Sequence, residues 1–275
     1  MQLFDQLLVY PIINVLLAIY QVLFSLGVPA ALAVSIVVLT IIIRFILYPF
    51  TASQLKAAKK MQDLSPHLKK LKDKHKSDAK RLQEETMKLY KVHGVNPVAG
   101  CLPLLIQLPV IWGLYSVLNL IVHLKPEETV AKINNIAYFD ILKLQAGWDT
   151  HIFNISLGQT PAQLLQTVGP IVLLVPILTG VFQFIQSKMM ISATPKDEPK
   201  DKKKAEPDFQ SALQTQTLYV FPLMIGFFSF NFPLGLSLYW NTFTIFGIIQ
   251  QYQIQGWGGL EPYVKKVFQS QSEKK

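Results

Sequence analysis

The chain has 275 residues, 51% of them hydrophobic and 16% charged, with a formal net charge of +9. The charged fraction is well below the ~25% of a typical soluble domain, and the apolar residues gather in long runs, which excludes an ordinary soluble globular fold. The single cysteine, Cys101, excludes an internal disulfide and a Cys-rich metal site.

The first segment, 1–28, is apolar, contains Pro11 and carries Asp5 as its only charge. A secretory signal would want a basic start, and none is present. The segment reads as an interfacial amphipathic helix on the extracytoplasmic surface, with an extra span as the alternative. Residues 29–50 form the first expected transmembrane span, long enough to cross a hydrocarbon core. Arg44 lies inside it. Such a charge costs at least ~2.5 kcal/mol near a bilayer midplane and is rarely kept without a function.

Residues 51–98 are rich in Lys, Leu, Gln, Ala and Met. Leu64, Leu68 and Leu71 recur at helical spacing, as Leu82 and Leu89 do at heptad spacing. Ser65-Pro66 fits a helix start, Ser77-Asp78 a turn and a new cap, and Gly94 a helix end. The segment is expected to form an antiparallel helical hairpin with a thin apolar stripe. Span 2 follows at 99–124 with Pro103 and Pro109. A mixed connection at 125–160 carries the interface aromatics Tyr138 and Trp148. Span 3 is expected at 161–187. Residues 188–211 are charged, Pro-containing and poor in hydrophobes, which predicts a disordered linker. Spans 4 and 5, at 212–230 and 236–252, are joined by Asn231-Phe232-Pro233-Leu234-Gly235, a turn tight enough to make them antiparallel neighbours. Residues 253–275 are a short tail.

The charge is distributed unevenly. Residues 51–98 hold twelve Lys/Arg against five acids, whereas 125–160 hold three Lys against four acids. The 188–210 stretch holds six Lys and the tail four. Basic residues in alternate connections are the positive-inside pattern. It places the hairpin, the linker and the C-terminus in the cytoplasm, and with five spans the N-terminus outside. The same alternation argues against nucleic acid as a direct partner.

Polar residues within the spans fall on stripes. Thr40, Arg44 and Tyr48 are spaced by four on the first. Thr179, Gln183, Gln186 and Ser187 line the third. Ser237, Trp240 with Asn241, Thr244 and Gln251 line the last. Gln107 stands alone on the second. Polar side chains at membrane depth face protein, water or a cavity, so three stripes and a lone amide point to one shared hydrophilic space with Arg44 as its positive charge. Two plainer readings stand beside that one: Arg44 snorkelling to the near membrane edge, and Gln and Thr serving only as interhelical glue. No Asp or Glu lies inside the five spans, which speaks against an ion-coupled small-solute transporter or channel, the alternative function. A lipid- or partner-binding assembly chaperone is a third reading. No HExxH or GxGxxG occurs, and Gly235-Leu236-Ser237 opens a GxSxG elbow without its second glycine. The sequence therefore predicts no enzyme, no metal and no cofactor.

The stretch Lys88–Tyr115, with Gly100-Cys101-Leu102-Pro103 followed by Gln107-Leu108-Pro109, resembles the YidC/Oxa/Alb family of membrane protein insertases. Arg44 before Tyr48-Pro49-Phe50 agrees with it, as do Tyr239-Trp240-Asn241 and Gln250-Gln251 at the two ends of the last span. The match runs in family order over about 25–255. The resemblance implies a five-span, all-α polytopic protein of the bacterial plasma (inner) membrane, in a short form without a large periplasmic domain. Its hydrophilic groove would be closed to the outside and open to the cytoplasm and the lipid. Groove residues would be Arg44, Gln107, Gln183 and Trp240, with Thr40, Tyr48 and Thr244 beside them. The cytoplasmic hairpin, with Lys59, Lys60, Lys69, Lys70 and Lys72, would recruit substrates. Nascent membrane proteins would be the partners, with membrane lipids, the Sec translocon and the ribosome as further candidates. The tail lacks the long basic extension that ribosome tethering would want.

Overall fold

A computed structural model of the protein describes residues 2–75, 78–94, 102–123, 126–145, 148, 150–152, 154–191 and 215–272. The fold is helical. Helix α1 runs as Gln2–Phe4, a π-type stretch Asp5–Val9, and Tyr10–Ser25. Gly27, with φ +70°, closes it. Helix α2 is Ala31–Ile46, and α3, Tyr48–Asp63, departs from it at 63°. Pro49 explains the break, because it has no N–H to offer the carbonyl four residues back and its ring crowds that carbonyl, while a proline is well tolerated in the first turn of α3. The hairpin arms follow as α4, Ser65–Lys74, and α5, Ala79–Val92. Helix α6 is Leu102–His123 and α7 Pro126–Asn134. A two-stranded ribbon, β1 His151–Ile152 with β2 Ile155–Ser156, turns at Asn154. Then come α8, Pro161–Leu164, α9, Leu174–Met189, and α10, which is a π-type stretch Gln216–Val220 followed by Phe221–Asn231. Helix α11, Leu234–Gln255, and α12, Glu261–Ser272, complete the chain.

Among the described residues, Asp5–Ser25 and Pro170–Met189 are each long and apolar enough to cross a membrane, and α2 with α3 makes a third if taken as one broken span. Several expected boundaries shift. Span 3 was expected from residue 161, but Thr160 and Gln163 form a capping box that starts the separate short helix α8. Gly169 at φ +88° then ends that segment, and the crossing helix begins at Pro170. Helix α11 extends beyond 236–252 at both ends and stops at Gly256, φ +71°. The tail contains α12. The linker lies almost wholly outside the described residues, as do Cys101 and Ser77.

The hairpin forms as its sequence predicts. Asp78 accepts a hydrogen bond from the Arg81 N–H at 3.0 Å and caps α5, and Gly94 follows that helix at φ +63°. Leu64, Leu68 and Tyr90 make a small buried cluster between the arms. The rings of His67 and His93, at opposite ends of the two helices in sequence, lie 6.3 Å apart, so the arms are antiparallel.

The main hydrophobic core gathers at one end of the molecule. It joins Ile13, Leu17 and Tyr20 of α1 with Leu32 and Ile36 of α2, Leu114 and Leu118 of α6, and Leu236 and Tyr239 of α11. The connection after α6 closes over it through Ile133, Leu144 and Leu157. The connection is also bonded to the α10–α11 turn, where Leu234 and Gly235 donate N–H bonds to Gln159 and Leu157 at 2.9 and 2.8 Å. Gly235 is required there, because a Cβ would meet Leu118 at 2.7 Å.

Helix α1 departs from the expected amphipathic form. Its buried side is apolar, but so is its exposed side, where Leu3, Leu7, Val15 and Phe24 stand. Its polar Asn14 is buried instead and spent on the 125–160 connection. It donates to the Ile136 carbonyl at 3.0 Å and accepts from the Tyr138 N–H at 2.7 Å.

Candidate functional site

Beyond the Tyr239 layer the character of the interior changes. Arg44 lies two turns past Ile36 on α2 and is only 4% exposed. Its guanidinium carbon stands 3.4 Å from the centre of the Phe243 ring on α11, and Nη2 donates to the Phe243 carbonyl. Such stacking plus a charge-assisted bond suits the planar, weakly hydrated arginine better than lysine. Room for the guanidinium comes from Gly247, one turn further along α11. A Cβ there would lie 2.5 Å from Nη2 and would overlap the Gln186 amide of α9. Gly247 thus brings together a cation from α2 and an amide from α9.

The stripes on α9 and α11 meet each other. Trp240 Nε1 donates to Gln183 Oε1 at 3.2 Å. Nearer the apolar end, Ser229 of α10 donates to the Thr179 hydroxyl at 3.2 Å and shares a 3.0 Å hydrogen bond with Ser237. Thr40 turns its hydroxyl back to the Ile36 carbonyl at 2.6 Å and is fully buried, as is Thr244. Gln183 and Trp240 are thus bonded to each other, Arg44 meets Gln186 of α9 at Gly247, and Thr40 and Thr244 are buried on α2 and α11.

Tyr48 does not join them. The bend after Ile46 breaks its four-residue register with Arg44, and its side chain is 37% exposed. Its carbonyl instead accepts from Gln250 of α11. The Gln107 side chain lies outside the described residues, although its backbone belongs to α6. Among the hairpin lysines, Lys59, Lys60 and Lys70 are exposed, and the side chains of Lys69 and Lys72 lie outside the described residues. Further along the hairpin, Lys88 sits 2.8 Å from Glu85, and that hydrogen bond holds the Glu85 carboxyl below its ordinary range.

The polar interior between these helices is closely packed. Its saturation is incomplete, however. Among the described residues, Arg44 Nε, Asn241 Oδ1, Gln251 Nε2 and Gln54 Nε2 are buried without a hydrogen-bond partner. Each such group costs ~1–3 kcal/mol unless solvent or a bound chain meets it. Two of the four, on Asn241 and Gln251, belong to α11 itself, and Trp148 Nε1 is a further one in the 125–160 connection. No group of three or more His, Cys, Asp or Glu that could hold a metal occurs among the described residues.

Two groups on this site were not singled out from sequence. Ser229 looked like an isolated hydroxyl in an apolar span. Gly247 carries no polar atom, yet it falls three residues after Thr244 and four before Gln251, in the gap of the polar stripe. A helix-interior glycine costs ~1 kcal/mol relative to alanine, so its position in that stripe was the available signal.

Sequence comparison relates the chain to known proteins. The sequence model of the 60Kd inner membrane protein family matches residues 23–258. A membrane protein insertase YidC of Chlamydia trachomatis is 34% identical over 220 residues, which are 80% of this chain and 25% of the relative. The membrane protein insertase MisCA of Bacillus subtilis is 34% identical over 236 residues, 84% of this chain and 71% of the relative. A membrane protein insertase YidC of Oceanobacillus iheyensis is 32% identical over 220 residues, 78% and 71% of the two chains. The chain thus spans about a quarter of the length of the chlamydial relative and most of the length of the two bacilli proteins.

Proposed function

The chain belongs to the 60Kd inner membrane protein family, and we propose from that membership that it is a bacterial membrane protein insertase without enzymatic chemistry. Its substrates are nascent membrane proteins. Their polar segments enter between α2, α9 and α11, and their apolar segments pass into lipid. The single observation that carries this reading is Arg44, a buried cation held by one carbonyl and one aromatic face, with Nε unpartnered among the described residues. A substrate carboxylate offers it a better partner, because low dielectric strengthens attraction between opposite charges. Burial of the adjacent apolar segment in lipid then drives the transfer forward.

The apolar core around α1 and the 125–160 connection supplies the outer closure of the groove. The five-span core consists of α2 with the start of α3, α6, α9 with its preceding turn, α10 and α11. The N-terminus is outside and the C-terminus cytoplasmic. The exposed hairpin lysines receive substrates on the cytoplasmic side. A photo-crosslinker replacing Gln183 or Thr244 is expected to capture stalled single-span nascent chains. Capture only at positions in the 125–160 connection would overturn the groove.

Helix α1 lies along the outer membrane surface rather than crossing it. Contacts with the 125–160 connection are spread along its length, from Gln6, whose carbonyl accepts from the Tyr138 hydroxyl, through Asn14 to Tyr20, whose ring lies 5.2 Å from that of Trp148, and Gln21, bonded to the Lys143 carbonyl. Fifteen residues of helix extend ~22 Å, and a crossing helix would touch an outer connection at one end only. Single cysteines at Gln2 and at Ser25 are therefore both expected to react with a membrane-impermeant maleimide added outside intact cells. Protection of Gln2→Cys alone would make the segment a span.

A further inference from the structure

Helices α9 and α10 run antiparallel and cross where two glycines meet. A Cβ on Gly226 would stand 3.3 Å from the Gly180 Cα and 3.2 Å from the Pro176 carbonyl oxygen, so the backbones touch there as small residues allow in membranes. Around this crossing lies an apolar groove of about 550 Å³, separate from the Arg44 site. On α9 its wall is Ile177, Val181 and Phe184; on α10 it includes Tyr219, Leu223 and Phe227. All six side chains are exposed.

The α9 wall follows a helical stripe, i, i+4, i+7, and the next position on that stripe, i+11, is Lys188. From Ile177 to Lys188 the stripe is ~16 Å long at the α-helical rise. That is one leaflet, half of a ~30 Å hydrocarbon core. At the Lys188 end the aromatic rings of Tyr219, 6.1 Å from Phe184, and Tyr263, 5.8 Å from the Lys188 ammonium, supply the amphipathic groups of a membrane interface. Lys188 is half-buried and makes no ion pair among the described residues.

We propose that this groove is a binding site for an anionic phospholipid, one acyl chain lying along Ile177, Val181 and Phe184 and the phosphate meeting Lys188. On α9 the wall is apolar from Ile177 to Phe184 and its stripe ends in one cation, which matches an acyl chain under an anionic headgroup better than a polypeptide segment, which brings no phosphate to Lys188. The inference requires the membrane location but no insertase activity.

The test is native mass spectrometry of the full chain in detergent, titrated with phosphatidylglycerol and with phosphatidylcholine of the same acyl chains. No nascent chain is present, so the outcome stands apart from any test of insertion. Phosphatidylglycerol is expected to be retained about fivefold over phosphatidylcholine, the weight of one lysine at an anionic headgroup. Lys188→Gln should bring the ratio to about one, whereas Lys265→Gln, whose lysine is bonded to Glu261 at 2.7 Å, should leave it unchanged. Val181→Trp, which fills the groove from an exposed position, should lower retention of both lipids. Equal retention of the two lipids by the parent chain, or a preference unmoved by Lys188→Gln, overturns the site. So does undiminished retention in Val181→Trp. A crosslinker at Ile177 that captures stalled nascent chains equally well with and without phosphatidylglycerol would make the groove a polypeptide surface, and would overturn it as well.

Discussion

Arg44→Ala is expected to slow insertion of substrates with an acidic translocated segment by about ten- to a hundredfold, the weight of one hydrogen bond to a charged group. The measurement is the rate at which a protease-protected product forms in proteoliposomes. Substrates whose translocated segment is neutral should lose far less. Arg44→Met, which keeps the length of the stem without the charge, should behave as the alanine variant does, and so separates charge from lost packing. Arg44→Lys should retain most of the activity on acidic segments. An equal loss for Lys and Ala would transfer the role from charge to the flat guanidinium resting on Phe243.

The second large effect is expected at Gly247, where the change is a single methyl group. Gly247→Ala should leave stability within ~1 kcal/mol, because the helix-propensity gain of alanine offsets the displacement of two flexible side-chain ends. The displaced ends are those of Arg44 and Gln186. With its guanidinium moved off the Phe243 carbonyl, insertion of acidic segments should fall about tenfold, while the thermal midpoint barely moves. Combined with Arg44→Ala, Gly247→Ala should cost little further activity, since both act on one group. Full additivity would show that Gly247 works through something other than Arg44. A larger residue, Gly247→Leu, should also lower stability by ~1–3 kcal/mol through overpacking.

How far the sequence could be read depended on how local each signal was. Asp78 as a cap, Gly94 as a stop and the thin Leu stripe of the hairpin are decided within a few residues, and all three were legible. The convergence of Arg44, Gln183 and Trp240 could be expected because polar atoms at membrane depth have few places to go. The closeness of their packing could not, because it depends on Gly247 and on the Phe243 carbonyl, neither of which carries a polar side chain. Tyr48 shows the opposite error. Four-residue spacing implies a shared face only while the helix continues, and Pro49 redirects the chain at Leu47, between Arg44 and Tyr48. In α1 the low charge was visible, but which of its apolar sides would be covered depended on a connection more than a hundred residues away, reached through Asn14.

The bend at Leu47 has a mechanical side. Past it, α3 is strapped to α11: Gln250 donates to the Thr51 hydroxyl and the Tyr48 carbonyl, and Gln255 donates to the Leu55 carbonyl. The hairpin is therefore carried on an arm held to α11 at two points, the first of them one turn from Gly247. A displacement of the hairpin arms is expected to be felt at α11, so that the hairpin and the Arg44 site share one support.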